Sequence, residues 1–194
     1  MNKNIILAGV GGQGILTIAA IIDLAAMNLG LKVKQAEVHG MSQRGGAVES
    51  HLRISDKEIF SDLIPKGEAD LILSVEPMES LRYIPFLSKK GIIVTSVDPF
   101  INITPYPDLQ NVLNEIKKNP ENILVDAEKP AREAGSVKAS NIVMLGAASP
   151  FTGIEKEELE KAIEKLFLPK GNETVQINLR AFNAGLNITK QLRK

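Results

Sequence analysis

Cysteine is absent from this 194-residue chain. Disulfides are therefore impossible, and so are thiolate-ligated zinc and iron–sulfur clusters. Tryptophan is also missing, and the only histidines are His39 and His51, whose separation does not make a metal-ligand pair. Net charge is lacking as well: 23 Lys and Arg balance 23 Asp and Glu. A neutral chain has no broad positive field for tracking nucleic-acid phosphates. It also gains little colloidal repulsion, which favours life inside a complex. No apolar run approaches the roughly 18 residues of a membrane span. The first one, Ile5 to Val10, is too short for a secretory core and runs into glycines, so the expected location is cytoplasmic. No nucleophile–base arrangement is legible, and no catalytic or metal-ligating residue is assigned to this chain.

What is present is an alternation of short apolar runs with helical patterns. The length predicts a single domain over 1–194. Strands are expected at Asn4–Ala8, Lys32–Val38, Ala47–Ile54, Asp70–Val75, Gly91–Ser96 and Ile123–Asp126, with a short return strand at Glu58–Phe60. Helices are expected at Ile15–Leu29, from Pro77, and at Asp108–Asn119, Glu128–Ala134, Ser140–Ala148, Glu155–Phe167 and 174–193. Gly30 reads as a helix stop and Pro77 as a first helical residue. The helix after Gly14 is so apolar that the sheet, and a partner, are expected to cover most of it. Strand 47–54 alternates, putting Glu49, His51 and Arg53 on a solvated or partner-facing side. Glu76 and Glu79 read as a capped, solvated helix start, and Asp98-Pro99 as a strand end near a cleft. The sum is an α/β fold: one Rossmann-like domain, a mostly parallel sheet flanked by helices, a short antiparallel element and C-terminal helices.

Two stretches carry chemistry. "AGVGGQGI" places Gly9, Gly11 and Gly14 in a G-x-G-x-x-G turn between the first strand and the first helix. Gly9 permits a sharp exit, Gly11 and Gly12 allow a phosphate to approach backbone N–H groups, and Gly14 permits close packing. Glu37, about 20 residues on, stands where a dinucleotide enzyme keeps its ribose-binding acid. Those residues alone leave a nicotinamide or flavin site open beside a close-packed turn that binds nothing. The second stretch, "HGMSQRGG", argues against the dinucleotide reading, because no crossover helix fits between Val38 and Ala47. In eight positions it holds His39 for proton transfer or hydrogen bonding, Arg44 for a phosphate or carboxylate, and Gly45-Gly46 as a nest of amide donors.

Together, "ILAGVGGQGILTIAAII" and "AEVHGMSQRGGAVESHLRI" resemble the gamma-type subunit family of pyruvate and other 2-oxoacid:ferredoxin oxidoreductases. The H-G-M-S-Q-R-G-G loop leans toward its indolepyruvate branch, and the resemblance extends through "ADLILSVEPMESLRYIPFL" and "NIVMLGAAS" to the helix "EKEELEKAIEKLF". It implies an accessory subunit of a complex that converts a 2-oxoacid and coenzyme A to an acyl-CoA, CO2 and reduced ferredoxin. It also implies thiamine diphosphate, Mg2+ and [4Fe–4S] clusters on a larger alpha subunit, and ferredoxin as a partner of the complex. Carried over by position, Gly9, Gly11, Gly12, Gln13 and Gly14 of the turn, and His39, Met41, Ser42, Gln43, Arg44, Gly45 and Gly46 of the loop, would line a cleft for coenzyme A or the larger subunit. A gamma subunit for pyruvate, 2-oxoglutarate or a branched-chain 2-oxoacid, a free-standing NAD(P) or flavin dehydrogenase, and a pure interaction module are the other readings.

Overall fold

A computed structural model describes residues 1–40, 45–101 and 104–193. Its strands are β1 (Asn2–Val10), β2 (Lys32–His39), β3 (Ala47–Ser55), β4 (Ala69–Ser74), β5 (Leu87–Ser96) and β6 (Asn122–Val125). Its helices are α1 (Ile15–Asn28), α2 (Pro77–Arg82), α3 (Leu109–Lys117), α4 (Glu128–Ala134), α5 (Ser140–Thr152), α6 (Lys156–Phe167) and α7 (Asn172–Leu192). Most sequence-derived elements are in place. Gly30 takes a left-handed φ of +73° after α1 and closes the helix with a bond from its N–H to Met27. Pro77 lies in the first turn of α2, with Glu76 as its cap.

The strands form one sheet in the order β2-β3-β1-β4-β5-β6. Pairs β1–β4, β4–β5 and β5–β6 are parallel, whereas β3 is antiparallel to both neighbours. The antiparallel element is therefore neither short nor peripheral. Nine residues of β3 sit between β1 and β2, so the β1-α1-β2 crossover spans an intervening strand. The physical cause is the short β2–β3 connection: with no room for a helix, the chain must turn back on itself.

Two apolar layers flank the sheet. The larger packs Ile5, Leu7, Leu52, Leu71 and Val94 under α1, α4, α5, α6 and α7. The smaller packs Ile6, Ala8, Ile72 and Ile93 against α2 and α3. Alternate residues of β1 thus feed opposite layers, as a strand buried on both faces requires.

Two expectations are corrected here. Glu58–Phe60 is irregular rather than a strand. Its segment is instead tied to β3 by the Arg53 guanidinium, which donates to Ser61 O at 2.9 Å and Leu63 O at 3.2 Å, and by the Ile64 N–H, which donates to His51 Nδ1 at 3.0 Å. That cover also corrects the second expectation, since His51 is buried and stacks edge-on against Phe86 instead of facing solvent or a partner. Burial lowers its pKa, in keeping with a neutral ring that accepts at Nδ1. Helix α1 is buried against the chain along Ile15, Ile18, Ala19, Ile22 and Ala26, and within this chain its outer side is exposed at Leu16, Ala20 and Met27.

Candidate functional site

The glycine turn is built around Gln13. Its Oε1 accepts from the Val10 N–H at 2.8 Å, and its Nε2 donates to Val75 O at 3.3 Å, so one side chain ties β1 to the segment leaving β4. Gly9 is required beneath it, because a Cβ there would lie 2.5 Å from Val75 Cγ2 and 2.9 Å from Ile15 Cδ1. Gly14 has φ +79°, and an added Cβ would strike the Asn141 carboxamide, whose Nδ2 donates to Gly14 O at 3.1 Å. Gly12, at φ +102°, is open on its Cβ side.

The turn also holds the base of the loop. The Gly11 N–H donates to Gly46 O at 2.8 Å, and the Gly45 N–H donates to Gly11 O at 3.4 Å. Gly11 and Gly46 are thus brought together from segments far apart in sequence. The Gly11 N–H is taken up by that contact and is not free for a phosphate. His39 ends β2, one residue inside the strand rather than in the loop, and the Gly40 N–H donates to Ala47 O at 3.0 Å. Met41, Ser42, Gln43 and Arg44 lie outside the described residues.

A cleft of about 680 Å³ opens beyond Gly12, Gln13 and Gly14, at the C-terminal ends of β1, β4, β5 and β6. Helices leave β1 and β4 toward opposite faces of the sheet, which makes this the switch point where open α/β sheets place ligands. Lys138 and Lys170 reach its rim, and Asn141 and Asn178 line its floor from α5 and α7. Asp98 is there as read from the sequence, but its Oδ2 accepts from the Ala127 N–H at 3.1 Å and the Glu128 N–H at 3.3 Å, so it caps α4.

The dinucleotide alternative loses its geometry. Glu37 lies on β2, and β3 separates that strand from β1. Two strand spacings put β2 roughly 10 Å from β1, twice the usual offset of a ribose-binding acid.

On the opposite face Glu76 and Glu79 are buried, 1% and 2% exposed, which corrects the solvated helix start. Glu76 Oε2 accepts from the Glu79 N–H at 2.8 Å as the cap of α2, and its Oε1 accepts from the Tyr106 hydroxyl. Burial raises the Glu79 pKa, while Arg82, with Nε 2.9 Å from Glu79 Oε2, offsets part of that rise. Tyr83 is buried beside it, and its pKa is raised by burial first and by the nearby Glu49 carboxylate second. The local sequence gave no sign of Asn141, Tyr106 or the two rim lysines, because each meets the site only through long-range packing.

Among the described residues no group of three His, Cys, Asp or Glu is placed to hold a metal ion. None of their helices is long and apolar enough to cross a membrane.

Residues 4–188 match the family model described as pyruvate ferredoxin/flavodoxin oxidoreductase. The chain is 42% identical over 199 residues to the indolepyruvate oxidoreductase subunit IorB of Archaeoglobus fulgidus, covering 96% of this chain and 95% of that one. It is 39% identical over 203 residues to the IorB subunit of Thermococcus kodakarensis, covering 97% and 96%. Among solved structures, pyruvate oxidoreductase subunit PORC of Thermotoga maritima superposes with a TM-score of 0.73 at 25% identity, covering 96% of each chain.

Proposed function

The chain belongs to the pyruvate ferredoxin/flavodoxin oxidoreductase family, and we propose that it is the accessory subunit of an arylpyruvate-type 2-oxoacid:ferredoxin oxidoreductase. The observation that carries this reading is the near-full-length similarity to indolepyruvate oxidoreductase subunits. The reaction is the coenzyme A-dependent oxidative decarboxylation of a 2-oxoacid to an acyl-CoA, CO2 and reduced ferredoxin.

The redox chemistry belongs to a larger partner. Thiamine diphosphate with Mg2+ would supply carbanion stabilisation there, and [4Fe–4S] clusters would carry the electrons. This chain's donor set does not fit the clusters: it has no thiolate to ligate one. On its own the chain is inactive.

Its contribution is positional. Gln13 and the glycines of the turn fix Gly11, and Gly11 in turn fixes Gly45 and Gly46 at the loop base. Gly12, Gln13 and Gly14 face the cleft, Gly9 lies buried beneath them, and the loop from His39 to Gly46 is assigned to the same inter-subunit contact. Arg44 binds a coenzyme A phosphate or a carboxylate of the larger subunit. Replacing Arg44 by alanine is expected to raise the KM for coenzyme A in the reconstituted complex. Unchanged KM with unchanged assembly overturns that assignment.

The test of the whole reading is co-expression with the larger subunit. The purified complex is assayed with indolepyruvate, phenylpyruvate, pyruvate and 2-oxoglutarate, with coenzyme A and a ferredoxin acceptor. A brown complex with the highest kcat/KM for the aryl substrates is expected. Preference for pyruvate would favour the relation to the PORC subunit and overturn the arylpyruvate assignment. Failure to form a complex, or NAD reduction by the chain alone, would overturn the accessory role.

A further inference from the structure

Two walls of the cleft hang from two consecutive residues. Strand β4 lies between β1 and β5, so its exit at Val75–Glu76 stands between the glycine turn that follows β1 and the segment that follows β5. Val75 O accepts from Gln13 Nε2 at 3.3 Å and so holds the turn. Glu76 holds the other wall: its Oε1 accepts from the Phe100 N–H at 3.4 Å and from the Tyr106 hydroxyl. Pro99 and Phe100 line the cleft, as do Gly12, Gln13, Gly14 and Val75.

The post that carries both walls is itself fixed. The Val75 N–H donates to Ala8 O at 3.0 Å, and Ser74 Oγ bonds the backbone of Glu76 on both sides, donating to its carbonyl and accepting from its N–H. At the start of the wall, Asp98 is tied to the first turn of α4. Asp98 therefore determines where the segment leaves the sheet, and Glu76 determines how far Phe100 stands from the turn.

A cap for α2 does not by itself call for glutamate, since Ser, Thr, Asp and Asn are the preferred capping residues. The longer side chain has a second use here. One oxygen, Oε2, caps the helix through the Glu79 N–H, and the other reaches Phe100 and Tyr106. We propose that Glu76 is a positioning residue that sets the width of the cleft and, through it, the hold on coenzyme A. This proposal rests on the accessory-subunit reading, in which coenzyme A enters the cleft between this chain and the larger subunit.

The test is steady-state kinetics of the reconstituted complex, with hydrogen exchange measured on the same samples. Tyr106→Phe removes the hydroxyl and leaves the α2 cap in place, so the fold is retained. It is expected to raise the KM for coenzyme A about five- to tenfold, to leave kcat and the KM for the 2-oxoacid within about twofold, and to quicken exchange of the Phe100 amide. Glu76→Ala is expected to raise that KM further, and Glu76→Gln, which keeps the reach and one acceptor oxygen, to recover part of the loss. Glu164→Gln, on the exposed side of α6, is expected to behave as the unmodified complex does. Faster Phe100 exchange with an unchanged KM for coenzyme A overturns the proposal and leaves the accessory reading standing. A lower kcat at unchanged KM marks loss of folded complex alone and overturns it as well. Unaltered Phe100 exchange in both Tyr106→Phe and Glu76→Gln removes its geometric basis. If the unmodified complex turns over without coenzyme A, the accessory reading fails first and the assignment of Glu76 falls with it.

Discussion

Gly14 is held by two constraints at once: a left-handed backbone and the Asn141 carboxamide pressed against the space where a Cβ would be. Gly14→Ala must strain the backbone and displace Asn141 from Gly14 O. The expected loss is about 2–4 kcal/mol, read as a lowered urea midpoint with unchanged m-value. The glycine was legible in the sequence, because strand–glycine–helix spacing demands it. Its partner was not, since Asn141 lies 127 residues away. Asp23 gives a pH prediction. Its folded pKa of about 7 exceeds its ordinary 3.8, so the folded chain holds the proton more tightly than the unfolded chain. Stability contributed by the neutral acid is present at pH 4 and is lost as pH rises toward 7 and beyond. Asp23→Asn is expected to stabilise the isolated chain at pH 8 by about 1–2 kcal/mol and to leave it unchanged near pH 4, as denaturation curves at both values would report.

Helices α5 and α7 touch backbone to backbone. A Cβ on Gly146 would enter the Phe182 carbonyl, and one on Gly185 would enter that of Val143. The Thr189 hydroxyl adds a bond to Ala147 O at 2.7 Å. Either glycine-to-alanine change is expected to cost about 3 kcal/mol or more, visible as a drop in Tm of roughly 6–12 °C for a chain of this length. The small apolar run Ser140–Ala148 disclosed a buried helix, but its crossing partner is set by α7, whose polar residues hide the inward stripe of Val175, Phe182 and Leu186. Segment 97–107 is a second case. Its prolines marked it as irregular, yet its anchor is the Tyr106 hydroxyl on buried Glu76. Tyr106→Phe leaves that carboxylate one donor short, and a loss of about 1–2 kcal/mol is expected, with faster proteolysis of the segment.

For the molecule as a whole, fold class and family were legible because both ride on local patterns: period-two strands, period-three-to-four helices and two glycine-rich stretches. Strand order was not. Alternation of strands and helices implies neighbouring parallel strands, and only the missing helix between Val38 and Ala47 hinted that β3 would turn back. The site was legible to the same extent, as turn and loop, while the cleft walls come from α4, α5 and α7 at the other end of the chain. A larger subunit that binds the folded chain and not the unfolded one also stabilises it. At a concentration a hundred times its Kd, it is expected to add about 2.7 kcal/mol, measurable as a rise in Tm.

The placement of β3 also sets an order of events during synthesis. β1 and β2 have no hydrogen-bonding partner in each other, and both depend on residues 47–55. A nascent chain ending near residue 40 therefore holds a helix and two strands that cannot yet form a sheet. Pairing starts at Ala47 and Val48, opposite Val10 and His39, and is complete only when Ser55 has left the ribosome, with β3 entering between the segments of β1 and β2 made before it.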